Sequence, residues 1–488
     1  MTSSAVFSHS IGPRRSAYIL GAVAAGMMIT GIFAQDPIAY LCVAVPAMVP
    51  LYLWMRAGAL GMPVLPVISG LFFVYYAIPL LRSQTLAYGS EQLIAAGATV
   101  GSFLLAASIA SWPFLGRGRR QSRSYGRNFV SDTQIVRLVF VGLAAGILYH
   151  LALVSGYLNW LGASVALVRA VVLTFTSVAC YLLGCARASR SLVGGRWAFA
   201  LGGMFALVVL ALSNLLLIGG LMNVLAAFLG YVITAKRIPW IGVAAAGALL
   251  AVLHAGKFEM RTAYWMPSSQ SLQQSSVFQM PGMMADWVTA GVGALWSGRT
   301  ETDVLERASL LHMLLLVQRA TPDYIPYLEG ETYALLPSML VPRIFDPEKP
   351  QSQAGLNLLS VHYGLQKVES TASTTIGWGL VAEAYANFGQ LAVLPVGALF
   401  GALCGALMRM SAGAAPLSLS MLVTIAAALV LFNLELDLSY LITTLAQSVA
   451  AALLFAGLPK FLARRRRMAI DPRAAALRPS RYPAGDTS

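Results

Sequence analysis

The chain has 488 residues, of which 58% are hydrophobic and only 11% are charged, and its mean hydropathy is +0.71. These values exclude a soluble globular protein. The net charge of +14 does not indicate nucleic-acid binding, because the basic residues lie in short segments that flank apolar stretches. Length, composition and charge therefore predict an all-α polytopic membrane protein with no nucleic-acid partner.

Apolar stretches that could cross a bilayer occur about twelve times along the chain, since a spanning helix needs about 20 mostly apolar residues. They begin near Ala17, Ile38, Val64, Leu93, Val136, Trp160, Trp197, Leu215, Ile238, Leu391, Leu417 and Leu438. We interpret the first as a span and not as a cleaved signal peptide, and we divide the uncharged run 197–234 into two helices at Ser213-Asn214. About nine spans then occupy residues 1–254 and about three occupy residues 376–462.

The basic residues orient these spans, because Lys and Arg accumulate in cytoplasmic loops. With twelve spans, every basic cluster falls on one side of the membrane. The clusters are Arg14-Arg15, Arg56, the run 117–127, Arg187, Arg190, Arg196, Lys236-Arg237, Arg409 and Arg464 to Arg467. We therefore expect both termini to be cytoplasmic, with residues 463–488 as a disordered basic tail that contacts anionic lipid. The segment 82–91 and the Glu435/Asp437 turn then face outward.

One long polar segment, residues 255–375, interrupts the apolar pattern on the outer side. It holds 11 of the chain's 19 acidic residues but only 8 of its 33 basic residues. Leucines at helical spacing predict an amphipathic helix from Thr302 to Ala320, with Thr302 or Thr300 as its N-cap. Residues 283–294 are apolar and are expected to lie along the membrane face. The segment is therefore a large, partly helical outer loop.

Candidate chemical groups concentrate in this loop and just after it. Arg343 follows Pro342 in a proline-rich stretch that also contains Lys349, and rigid backbone of this kind suits the presentation of a cation to phosphate. Arg261, Arg299 and Arg307 are further candidates. Glu383 lies in an apolar context, where a charged group costs about 2.5–3.5 kcal/mol on insertion scales and marks a functional candidate.

Two ordered groups of residues carry a resemblance to a known family. The first is Gly-Glu-Thr-Tyr at 330–333, followed by Pro-Arg at 342–343 and Lys-Pro at 349–350. The second is a Thr/Ser-rich segment at 371–375 that leads into Glu-Ala-Tyr-Ala-Asn-Phe-Gly at 383–389. Over residues 330–389 the chain resembles the Wzy-type polymerases of oligosaccharide repeat units, and elsewhere only the hydropathy profile is similar.

The resemblance implies that the chain joins polyprenyl-diphosphate-linked repeat units at the outer face of a bacterial inner membrane, with the loop in the periplasm. It implies no metal, nucleotide sugar or other cofactor. Donor and acceptor glycolipids and membrane lipid are the expected partners, and a chain-length co-polymerase and a flippase are open possibilities. The sequence holds no P-loop, and the Cys180/Cys185 spacing matches no zinc site.

Transfer from a lipid diphosphate needs cations for the leaving group and a base for the acceptor hydroxyl. We assign diphosphate binding to five basic side chains, with Arg343 foremost: Arg261, Arg299, Arg307, Arg343 and Lys349. For the base we expect Glu383, since burial would raise its pKa toward neutrality, with His312 and Glu331 as alternatives. Five side chains are assigned to sugar binding: Glu331, Tyr333, Trp378, Tyr385 and Asn387.

Structural roles compete with several of these assignments. Arg307 has a helical-spacing partner in Asp303, Lys349 adjoins Glu348, and Glu383 could hydrogen-bond a neighbouring helix. Among functions, an O-antigen ligase would share topology and chemistry and differ only in its acceptor. A flippase or other transporter would share the span count, although the chain shows no repeated halves. An enzyme that uses a polyprenyl-monophosphate sugar fits less well, because the first outer loop is short.

Overall fold

The computed structural model describes residues 13–81, 87–116, 132–158, 160, 165–213, 215, 217–265, 280–297, 309–341, 345–346, 348–372 and 374–470. Within these ranges every regular element is a helix. In chain order the α-helices are α1 (Pro13–Gly31), α2 (Pro37–Arg56), α3 (Val64–Phe72), α4 (Ser90–Ser111), α5 (Asp132–Val154), α6 (Val165–Ala188), α7 (Gly194–Leu212), α8 (Leu217–Ala235), α9 (Trp240–Ala255), α10 (Lys257–Trp265), α11 (Met280–Trp296), α12 (Leu310–Ala320), α13 (Glu331–Ala334), α14 (Leu336–Leu340), α15 (Ala354–His362), α16 (Gly379–Phe388), α17 (Gln390–Ser411), α18 (Leu419–Leu431) and α19 (Leu438–Ile470).

Nine helical segments within the described residues are long and apolar enough to cross a membrane. They are Pro37–Arg56, Val64–Leu81, Ser90–Phe114, Gln134–Val154, Val168–Ala188, Gly194–Leu212, Leu217–Ala235, Gln390–Ser411 and Leu438–Phe455. The helical class and the multi-span character predicted from the sequence are confirmed. The division of the long apolar run at Ser213-Asn214 is also confirmed, because α7 ends at Leu212 and α8 begins at Leu217.

The predicted count of twelve spans is not confirmed. The apolar helix at Ala17–Gly31 and the helix α18 are both shorter than a span. The helices α9 and α10 make one span only as a pair bent by 46°. Hydropathy locates apolar residues but not the points at which a helix bends or ends, which explains the difference.

The spanning helices form two groups that meet at α18 and α19. In the first group α4 packs between α2 and α17, and in the second α6 packs against α5 and α8. The helix α19 contacts α6, and α18 contacts α17 and α6. Glycines permit close approach in both groups: a Cβ at Gly401 would lie 2.0 Å from the carbonyl oxygen of Ala107, and one at Gly230 would lie 1.9 Å from that of Tyr181.

The polar segment 255–375 packs into the first group of helices through α12. The helix α12 contacts α4 and α16. The Gln318 amide nitrogen donates to the Thr99 hydroxyl in α4 at 2.9 Å, and Thr99 is 2.9 Å from the side-chain oxygen of Gln390 at the start of α17. The predicted amphipathic helix is confirmed over residues 310–320, and its earlier part lies outside the described residues. The polar segment is thus joined to spanning helices by side-chain hydrogen bonds.

Candidate functional site

The two sequence groups that carry the family resemblance lie in contact. The backbone amides of Leu328 and Glu329 donate to the carbonyl oxygens of Ala386 and Asn387, at 3.0 and 3.2 Å. The next amide, that of Gly330, donates to the side-chain oxygen of Asn387 at 3.0 Å. The chain entering α13 is therefore held against the end of α16, although more than fifty residues separate them in the sequence.

Asn387 is the residue that connects these two segments. It is fully buried, and its amide nitrogen donates to the Thr332 hydroxyl and to the Glu383 carbonyl oxygen, each at 2.9 Å. Because its side-chain oxygen also accepts from Gly330, every polar atom of the side chain is satisfied by protein. Asn387 was expected to bind sugar. In this structure its side chain instead joins the two segments through buried hydrogen bonds.

Glycines stand where the two segments approach. Gly330 has a φ of +93°, and a Cβ there would lie 3.1 Å from the Phe388 ring. Gly389, between α16 and α17, has a φ of +61°, and a Cβ there would lie 2.8 Å from the Tyr327 hydroxyl. L-residues with side chains rarely adopt this left-handed backbone, so both positions favour glycine for two independent reasons.

Glu383 lies in the middle of α16 with none of its side chain exposed. Its Oε2 accepts a hydrogen bond of 2.7 Å from the backbone amide of Leu438, the first residue of α19. The carboxylate thus satisfies one of the amides that a helix start leaves without an intrahelical partner. The structural alternative considered for Glu383, a hydrogen bond to a neighbouring helix, is present.

A second buried acid, Asp437, adjoins Glu383. Asp437 is also fully buried, and its Oδ2 accepts from the Ser439 hydroxyl and from the Tyr440 amide, so it caps α19. A Cβ at Gly355 would collide with this oxygen, which leaves room only for glycine there. Within the described residues, Glu383 Oε1 and Asp437 Oδ1 have no hydrogen-bond partner of normal geometry.

Burial controls the titration of both acids. Burial, followed by the charge of Asp437, raises the pKa of the Glu383 carboxyl well above its ordinary range. The Leu438 amide and the Thr332 hydroxyl lower that pKa only in part. Burial likewise raises the pKa of Asp437. The expectation that burial shifts Glu383 toward the protonated form is confirmed.

The candidates for sugar binding differ in burial and in their partners. The Tyr333 hydroxyl is buried without a hydrogen-bond partner among the described residues, and burial and then Glu383 raise its pKa. Trp378 is fully buried, donates from its ring nitrogen to Ser360 at 2.9 Å and packs 5.3 Å from the Tyr363 ring. Its ring therefore lies in the core in this structure. Tyr385 is half-buried and Glu331 is exposed.

The basic candidate that the structure places near an acid of the turn before α19 is Arg261, on α10. A nitrogen of its guanidinium donates to the carbonyl oxygen of Leu215 at 3.3 Å. Lys257, one helical turn earlier, and Arg261 both interact electrostatically with Glu435, in the turn before α19. Tyr75 also interacts with Glu435. Two cations therefore interact with a carboxylate that lies two residues before Asp437 in the chain.

Lys349 and His312 have local partners. The Lys349 amine donates to the carbonyl oxygens of Met339 and Val341, at 2.9 and 2.5 Å, and so satisfies carbonyls at the end of α14. The His312 ring nitrogen is 3.4 Å from the Tyr88 hydroxyl, with the two rings edge to face. The remaining basic candidates, Arg299, Arg307 and Arg343, lie outside the described residues.

Sequence reasoning missed Asp437, Glu435 and Lys257. The first two were noted only as an outward-facing turn between spans, yet two acids within three residues of an apolar region are themselves a signal of function. Lys257 and Arg261 are four residues apart on one helix, a spacing that places both on one face. What the sequence did not indicate is that this face of α10 meets the turn before α19, which carries Glu435.

The described part of the chain contains no cluster of three or more His, Cys, Asp or Glu side chains able to hold a metal ion. Comparisons of the chain with models of known protein families, with curated proteins and with solved structures find no match.

Proposed function

We propose that the chain is a metal-independent glycosyltransferase that polymerises polyprenyl-diphosphate-linked oligosaccharide repeat units at the outer face of a bacterial inner membrane. The observation that carries this proposal is the contact between the two groups of the Wzy-type pattern. Residues 330–333 and 383–389 are joined through Asn387 and enclose the buried carboxyl of Glu383. Segments that act on one substrate must lie together, and these two do.

In the proposed reaction an acceptor sugar oxygen bonds to the anomeric carbon of the donor unit. The bond from that carbon to the diphosphate oxygen breaks, and the polyprenyl diphosphate leaves with the electron pair. The acceptor's hydroxyl proton passes to a base, which we assign to Glu383. Glu383 is buried in this structure, so this role requires that substrate binding exposes its carboxylate. Catalytic hydrogen bonds often form only in the substrate complex.

The leaving diphosphate needs positive charge. We assign this role first to Arg343, with Arg261, Arg299 and Arg307 as further cations. Lys257 joins this set because it shares Glu435 with Arg261. Lys349 contributes by holding residues 339–341, just before Arg343, through its two hydrogen bonds to carbonyl oxygens.

The test is repeat-unit polymerisation in a deletion strain complemented with wild type, Arg343→Ala or Glu383→Gln, with membrane levels measured in each. We expect wild type to restore polymer and both variants to stall at one lipid-linked repeat. Arg319→Ala and Glu369→Gln are matched controls, because both side chains are exposed, and they should restore polymer. Normal surface polymer in the deletion strain would refute the proposal, and full-length polymer retained on the carrier lipid would indicate a ligase.

A proton-coupled transporter is the second candidate function. The buried pair Glu383 and Asp437 favours it, since carboxyls enclosed by membrane helices are typical of proton relays. The same deletion strain separates the two functions. Loss of a transporter leaves single repeat units on the cytoplasmic face, out of reach of a membrane-impermeant label. Loss of a polymerase leaves single units on the outer face, where the label reacts with them.

A further inference from the structure

Two carboxyl groups with no exposed surface accept hydrogen bonds at the start of α19 and interact electrostatically with each other. They belong to Glu383 and Asp437. Each uses one oxygen to accept from α19, through the amides of Leu438 and Tyr440 and the hydroxyl of Ser439. Each also has a second oxygen that finds no partner of normal geometry in the described part of the chain. A buried acceptor without a donor is costly unless one of the oxygens carries a proton.

The surrounding charged groups do not compensate the pair. Lys257 and Arg261, the basic residues of α10, interact with Glu435. The titratable group that reaches the pair from α13 is Tyr333, which interacts with Glu383. On the other elements packed against α16 and α19, the titratable side chains are exposed or engaged elsewhere: Glu331, Arg319, Glu91 and Arg169 are exposed, and His312 contacts Tyr88.

Two like charges in one buried site cannot both ionise at low cost, so such pairs release their protons in separate steps that belong to the pair. We propose that Glu383 and Asp437 hold one proton between them and titrate as a unit, with Asp437 as the positioning residue that can take this proton and leave Glu383 ionised. A proton shared in this way gives one of the unused oxygens a donor and leaves a single negative charge for the amides of α19. The inference stands whether or not the chain is a polymerase.

The pair makes the contact between α16 and α19 sensitive to pH. Burial and the second carboxyl raise the pKa of Glu383 above its ordinary value of 4.5. The folded protein therefore keeps a proton that the unfolded chain releases. The stability associated with that proton is fully present below the unfolded pKa and is lost as pH rises through the folded pKa. We expect α16 and α19 to separate more readily in alkaline buffer.

The first experiment measures thermal unfolding of the purified full-length protein in mild detergent from pH 5 to pH 9. Wild type should lose thermal stability across this range, and Glu369→Gln, which removes an exposed carboxyl, should lose as much. Glu383→Gln and Asp437→Asn should each reduce that loss by half or more. An unchanged slope in Glu383→Gln would overturn the inference, as would a flat wild-type profile.

Asp437→Asn also removes a helix cap and could fail to fold, so a second measurement uses infrared spectroscopy. Wild type at neutral pH should show the carbonyl band of a protonated, buried carboxyl group, and Glu383→Gln should lose it. Where Asp437→Asn folds, the band should disappear at a pH lower by about one unit or more, as expected for coupled sites. Absence of the band from wild type at neutral pH refutes the shared proton. Polymerisation in the deletion strain is a separate readout, so the two proposals fail independently.

Discussion

Asn387→Ala tests whether one buried amide holds the two segments of the site together. The change leaves the Gly330 amide without its acceptor and removes the hydrogen bond to Thr332. The Glu383 carbonyl also loses its bond from the Asn387 side chain, at smaller cost because it lies within α16. An orphaned buried donor costs about 1–3 kcal/mol and a lost neutral hydrogen bond about 1 kcal/mol. We therefore expect a loss of about 3 kcal/mol in the free energy of unfolding.

Denaturant titration in mild detergent measures this loss, and Asn223→Ala in α8 is the matched control. Asn223 is 5% exposed, and its side-chain nitrogen donates to Gly219 of its own helix at 3.2 Å. Its side-chain oxygen accepts only from the Ser177 hydroxyl, at 3.4 Å, and the Cys180 thiol of α6, so its truncation leaves no backbone amide without an acceptor and should cost about 1 kcal/mol. Asn387→Ala should abolish polymer and Asn223→Ala should retain it. Equal destabilisation of the two variants, with polymer retained in both, would show that Asn387 is only one more core residue.

Three further substitutions test individual contacts. Gly389→Ala should destabilise by about 1–3 kcal/mol through its left-handed backbone, and Tyr327→Phe should recover part of the loss in a double-mutant cycle, since it removes the hydroxyl that the new Cβ meets. Gly401→Val should prevent stable membrane insertion, because the added side chain meets the Ala107 backbone and would force α17 away from α4. The measurement is the loss of folded protein in size-exclusion chromatography. If Lys349 only caps α14, Lys349→Met should lower the free energy of unfolding by about 1 kcal/mol and reduce the amount of polymer by no more than half. Loss of polymer at unchanged stability would instead indicate that Lys349 binds the diphosphate.

The spanning helices were predictable wherever apolar length and helix length coincide. The starts near Ile38, Val64 and Leu391 fall at or within one residue of α2, α3 and α17. The prediction is not confirmed where an apolar run contains a break. Gly256 separates α9 from α10 at a bend of 46°, and a Cβ at Gly256 would lie within 3 Å of the α11 backbone. That bend is imposed by a partner helix, which a window of sequence does not contain.

The candidate site was predictable one residue at a time but not as an arrangement. Glu383 was identifiable because an acid in an apolar stretch is rarely there without cause. Its partner Asp437 lies 54 residues away in sequence, and only the contact of α16 with the start of α19 brings them together. Trp378 and Asn387 were expected to face sugar, yet both side chains make their hydrogen bonds inside the protein. Residue type indicates what a side chain can bind, whereas burial decides what reaches it.

The turn before α19 separates two carboxylates into opposite surroundings. Glu435 faces the cations Lys257 and Arg261, while Asp437, two residues later, faces Glu383. A core that served stability alone would gain by replacing the buried acid pair with apolar side chains, because desolvation offsets most of what such groups contribute. Buried carboxyl pairs of this kind are instead typical of sites that move a proton. The arrangement places positive charge and a pair of titratable carboxyls on the two sides of one short turn, the two kinds of group that the proposed transfer from a diphosphate to a hydroxyl would use.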